Sequence, residues 1–174
     1  YGDLIQGKKY NIKVIAKAEN GQTAEVTAEQ TTGSIANLTA GDIAFTYTVD
    51  GKIIDKSTWT NGTVKVSAKI NPEIDMTGLK IQTSKDGKNY EDADTQSFTE
   101  NGTMYVVLTD GKNYGGSAGG TVTNIDKIKP VITGVTATTN TIKITATDEA
   151  SGIFAYAISE SSTMPTKFTV VDST

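Results

Sequence analysis

Apolar and polar residues alternate along most of this chain with the two-residue period of a half-buried strand. At residues 10–18 the alternation puts Tyr10, Ile12, Val14, Ala16 and Ala18 on one face and Lys13 and Lys17 on the other, and a second alternating run follows at 23–29. Asn20-Gly21 between the runs supplies the positive-φ residues of a tight turn, so the pair predicts a β-hairpin. Its apolar face requires a second sheet, because a lone two-stranded hairpin is marginal in water. The chain is therefore expected to begin inside a domain.

Residues 33–42 are small, polar and punctuated by Gly33 and Gly41, which reads as a linker. Alternation resumes at 43–49 and recurs at 63–70, 78–84, 97–99, 103–110 and 120–126, with turn signals at Asp50-Gly51, Asn61-Gly62, Asp86-Gly87 and Asn101-Gly102. Short strands at this spacing predict a Greek-key β-sandwich. The polar stretch from Asn124 to Pro130 then separates it from a third block with runs at 131–135, 141–147, 152–159 and 167–171. Pro130 fixes its own φ and drives Lys129 toward an extended backbone, so this connector is expected to be taut. The division that follows is 1–34 as the back half of one sandwich, 35–126 as a complete sandwich, and 127–174 as the front half of another. Thr174 written directly before Tyr1 gives one whole module, which leads to the expectation of one period of a tandem array, its halves completed by neighbouring copies.

Composition sharpens the all-β reading. There are 29 threonines among 174 residues, a β-branched enrichment suited to a pleated surface. The chain has no Cys, His or Arg, which removes thiol nucleophiles, disulfides, the usual zinc sites and imidazole bases. Carboxylates, Lys, Tyr and Ser remain. A formal charge of −4 with both signs interspersed argues against a phosphate-binding surface, so no nucleic-acid partner is expected. No apolar run approaches the roughly 18–20 residues that span a bilayer, so no membrane insertion is expected in this stretch. The absence of cysteine does not by itself fix a compartment.

Two resemblances follow. Leu4, Gly7, Tyr10, Val14, Ala16 and Gly21 resemble the last two strands of a fibronectin type III module, where a tyrosine turns its hydroxyl onto the upstream backbone; Tyr10 stands at that corner. Residues 35–126 resemble the immunoglobulin-like repeats of bacterial surface proteins. The features that carry this are Trp59-Thr60-Asn61-Gly62 before a strand, Ser84-Lys85-Asp86-Gly87-Lys88 at a hairpin, Asn101-Gly102-Thr103 before the strand bearing Tyr105, and Asn124-Ile125-Asp126-Lys127 before Pro130. By the same analogy Tyr105 is the expected tyrosine corner of the middle sandwich. The resemblance implies tandem immunoglobulin-like and fibronectin type III-like sandwiches with incomplete terminal ones, outside the cell or on its surface, serving as a stalk, spacer or filament. It implies no catalysis. Its partners would be neighbouring modules or copies and a host or glycan ligand, and the same fold serves accessory modules of secreted glycan-degrading enzymes and phage or virion decoration modules.

Candidate chemistry is sparse. Asp148 and Glu149, with Asp126 across the connector, offer hard oxygen ligands with which calcium would stiffen a joint, against the plainer reading of solvated loop carboxylates; no other cofactor is expected. Glu91, Asp92 and Asp94 form a second acidic stretch that reads as a loop. Paired acids suffice for glycoside hydrolysis, but nothing in the sequence sets two of them in a cleft, and no enzyme is expected. Trp59, Tyr90 and Tyr114 are candidates for stacking on sugar rings, Tyr114 within a glycine-rich loop. Lysines and asparagines abound, yet no spacing marks an isopeptide cross-link. Asn37-Leu38-Thr39, Asn61-Gly62-Thr63 and Asn101-Gly102-Thr103 match the glycosylation pattern, and the two Asn-Gly pairs read better as turns.

Overall fold

The computed structural model describes residues 8–171. They form an all-β chain with no α-helix among them. Strands β1 (Lys9–Lys17) and β2 (Thr23–Thr31) make the expected hairpin, with Ile12 opposite Ala28 and Val14 opposite Val26. Gly21 turns it at φ +85°, and the polar face is laced by Lys9–Glu29 and Lys13–Glu25 ion pairs at 2.6 and 2.8 Å. The opposite face, Tyr10, Ile12, Val14 and Ala16 with Ala24, Val26 and Ala28, is bare: Val14 is 55% and Val26 61% exposed. Leu4 and Gly7, which helped carry the fibronectin resemblance, lie outside the described residues.

Seven strands follow, β3 (Ile43–Val49), β4 (Lys52–Ile53), β5 (Val64–Ile70), β6 (Lys80–Ser84), β7 (Thr95–Phe98), β8 (Gly102–Thr109) and β9 (Ala118–Val122). They form a four-stranded sheet in the order β4-β3-β5-β7 and a three-stranded sheet in the order β6-β8-β9. Strands β3 and β4 pair antiparallel, as do β6 and β8. Beyond the connector come β10 (Val131–Ala137) paired with β11 (Ile142–Thr147), and β12 (Ala155–Tyr156) paired with β13 (Thr169–Val170). A bulge at Thr133 shifts the β10–β11 register, and Ile132, Val135 and Ala137 share a face with Ala146, Ile144 and Ile142. This face too is largely open to solvent, Ile132 at 66% and Val135 at 61%.

The chain folds into two compact units. The first takes residues 8–46, 66–96 and 103–121. Its buried apolar residues include Ile43, Val66, Ala68, Met104, Val106, Val107 and Leu108 on strands and Leu38 in the segment ahead of β3. Gly120 of β9 faces Phe45 of β3 so closely that a Cβ there would stand 2.6 Å from the ring, which shows two sheets meeting face to face. The second unit takes residues 47–65, 97–102 and 122–171, and buries Tyr47, Val64, Phe98, Val122 and Ile125.

The stretch expected to be a free linker is partly docked. Leu38 is 5% exposed; its amide donates to the Gly116 carbonyl at 3.0 Å, and the Gly116 amide donates to Asn37 Oδ1 at 2.6 Å. Thr39 and Asp42 then close a capping box around the 3-10 turn Ala40–Asp42. The docking depends on Gly115 and Gly116, whose missing side chains let residues 35–37 approach.

Candidate functional site

The connector is a hydrogen-bonded joint. The Asp126 amide donates to Thr60 O at 2.9 Å, and the Thr60 amide donates to Asn124 O at 3.0 Å. The Asn101 side chain reads the backbone of Ile125, accepting its amide at 2.9 Å and donating to its carbonyl at 3.2 Å. Asn124, 3% exposed, donates its side-chain amide to Thr58 O. Asp126 crosses the connector: Oδ1 accepts the Ile128 amide at 2.9 Å and Oδ2 accepts the Ser151 amide, in the β11–β12 loop, at 3.0 Å. The Ser151 hydroxyl and the Ile128 amide hold the Asp126 carboxyl below its ordinary range.

Asp148 organises the same loop. Its Oδ1 accepts the Gly152 amide at 2.9 Å, the Ala150 amide at 3.2 Å and the Ser151 hydroxyl at 3.3 Å. Asp148 Oδ2 is buried without a partner. Ser151 thus brings Asp126 and Asp148 together, while Glu149 is exposed, and among the described residues no three carboxylates converge. Calcium takes about six to eight oxygens. Both oxygens of Asp126 already accept amide hydrogens, so these carboxylates act as loop and joint caps rather than as the expected three-residue calcium set.

The sugar-stacking candidates separate. Trp59, 44% exposed, lines a shallow hollow of about 340 Å³ with Asp126, Pro130 and Asp148 in the second unit. Tyr90 and Tyr114 come together in the first unit, ring centroids 6.2 Å apart and planes tilted by 37°. Tyr105, the expected corner, lies mid-strand with its ring against the Gly87 turn, where a Cβ would be 3.5 Å away. For Tyr10, half-buried with the Lys8 ammonium 5.6 Å from its ring centre, the upstream backbone lies largely outside the described residues.

The pairing of Tyr90 and Tyr114 has a source in the sequence that alternation alone does not show. The pentapeptide Asp-Gly-Lys-Asn-Tyr occurs twice, at 86–90 and 110–114. Both copies fold alike. Asp86 Oδ1 accepts the amides of Lys88 and Asn89 at 2.8 Å each, and Oδ2 accepts the Asn89 side chain at 2.6 Å. Asp110 accepts Lys112 at 2.8 Å, Asn113 at 2.7 Å and the Asn113 side chain at 3.0 Å. Gly87 and Gly111 sit at φ +69° and +94°, a conformation that glycine adopts without steric cost. These donors hold Asp86 well below the usual carboxylate range and lower Asp110, chiefly through the Asn113 side chain and amide, to about 2. The Asp110 cap should therefore be fully formed above its ordinary value of 3.8 and be lost as pH falls toward about 2. The check is the Asn113 amide resonance, which should move over that window and stay fixed above it.

Compared with known proteins, the chain matches no family model, no curated sequence and no solved structure.

Proposed function

We propose that this chain is a non-catalytic structural spacer of an extracellular or cell-surface protein, built from tandem immunoglobulin-like and fibronectin type III-like sandwiches. The observation that carries the reading is the Asp126 clamp, which ties the connector at Ile128 to the Ser151 loop beyond Pro130. A short connector with its polar groups bonded on both sides transmits orientation, which is what a spacer requires. The strand orders add support. In this reading β3-β5-β7 and β6-β8-β9 take the A-B-E and C-F-G places of an immunoglobulin-like sheet pair, while the fourth strand, β4, lies beside β3 instead of in the D place beside β7. The bare apolar faces of β1–β2 and β10–β11 are the surfaces that an adjoining module or copy would cover in an array.

The test is to loosen the clamp. Asp126→Ala is expected to leave the unfolding midpoint of the β3–β9 region nearly unchanged while small-angle scattering shows a broader distribution of dimensions. Because the folded-state value of Asp126 is depressed, acid should act in the same direction: the clamp is complete above its ordinary value of 3.8 and fails as pH falls below it. Identical scattering from parent and variant at neutral pH would remove the clamp as the basis of the reading.

A further inference from the structure

The twin loops converge on one face of the three-stranded sheet. The register pairs Lys80 with Thr109, Gln82 with Val107 and Ser84 with Tyr105, so these six residues share a face. Tyr114 bridges Thr109 and joins that face. Glu91 bridges Thr83, which points the other way, and its neighbour Tyr90 therefore falls on the same side as Gln82. Two strands approached from opposite edges thus deliver two tyrosines to one place.

The surroundings of the pair are amphipathic. Val107, Thr109 and Ser84, on what would be the solvent side of the sheet, are at most 3% exposed. Gln82 donates its amide to Asp92, while its Oε1 is buried without a partner. The Lys80–Asp92 ion pair stands exposed beside it. A hollow of about 400 Å³ beside Tyr90 is lined by Ser84, Asp86 and Asn89 and reaches the sheet edge at Glu91 and Gln96, which contact Thr83. Tyr114 remains 53% exposed.

We propose that this face binds a neutral glycan chain. Pyranose rings present flat C–H surfaces that stack on aromatic rings, and their hydroxyls both donate and accept, which suits the interleaved Lys80, Asp92, Gln82 and Asn89 groups. The mixture of lysines and carboxylates disfavours a polyanion such as nucleic acid. The 37° tilt between the rings fits a twisted soluble chain rather than the flat face of a crystalline polysaccharide. The Asp86 and Asp110 caps fix both loops before the ligand arrives, which reduces the ordering cost of binding. The inference does not depend on the spacer reading, and it leaves Trp59 outside the site.

The test is affinity electrophoresis of the full chain in gels containing hydroxyethylcellulose, xylan or galactomannan. Retardation is expected in at least one of them, with Tyr114→Ala weakening it by about tenfold. Tyr114→Phe, which keeps the ring, should bind as the parent does, and so should Trp59→Ala. A melting profile of Tyr114→Ala equal to the parent's separates lost binding from lost folding. Absence of retardation in all three gels, or parental binding by a folded Tyr114→Ala, would overturn the proposal.

Discussion

Replacing Met104 by alanine is expected to destabilise the β3–β9 region by about 2–5 kcal/mol. Met104 is fully buried, as are Val106 and Leu108, which follow it on the same face of β8. Truncation removes most of an apolar side chain from a site with no solvent access. Strand β8 lies between β6 and β9, and its backbone is tied on both sides, so the site has little freedom to collapse onto the void. The measurement is urea unfolding followed by tyrosine fluorescence, with a lower midpoint and an unchanged slope expected. Lys65→Ala, on the exposed face of β5, should stay within about 0.5 kcal/mol and serves as the control. A Met104→Ala midpoint equal to that of Lys65→Ala would contradict the placement of Met104 in the core.

Strand positions were largely legible in the chain because alternation is local. The runs at 10–18, 43–49, 63–70 and 103–110 reappear as β1, β3, β5 and β8 within a residue or two. The run at 152–159 does not: β12 is only Ala155–Tyr156, since its ladder with β13 holds just two residue pairs. Burial on both faces of β8 was also invisible. Val107 and Thr109 occupy the solvent-side positions of an alternating strand, yet they are buried on the face that carries Tyr114. Contacts that join distant residues escaped for the same reason. Asn37 meets Gly116 across 79 positions, and Asp126 meets Ser151 across 25. Residue types alone grouped Asp126, Asp148 and Glu149, but Glu149 sits on the exposed side of a turn whose amides Asp148 caps. The Tyr90–Tyr114 pair is the exception, since its repeated pentapeptide is plain in the sequence once strands are not the only pattern sought.

Gly115→Ala is expected to release the segment that leads into β3. A Cβ at this position would overlap the Ala36 carbonyl oxygen and stand 3.0 Å from Ile35 Cγ2. A backbone carbonyl has no rotamer to which it can retreat, so the segment must move away or strain Gly115. Either route forfeits the Leu38-to-Gly116 and Gly116-to-Asn37 hydrogen bonds and exposes Leu38. Overpacking of this kind costs about 1–3 kcal/mol. Hydrogen exchange at the Leu38 and Gly116 amides should accelerate, and heteronuclear relaxation should report faster motion of residues 33–38. Gly33→Ala is the matched control, because it lies in the same connector and its added Cβ would meet nothing within 4 Å. Equal protection of the Leu38 amide in both variants would mean that residues 35–38 are a free tether. Slower exchange in Gly33→Ala than in Gly115→Ala would mean that the spacing ahead of β3 depends on the side chain absent at Gly115.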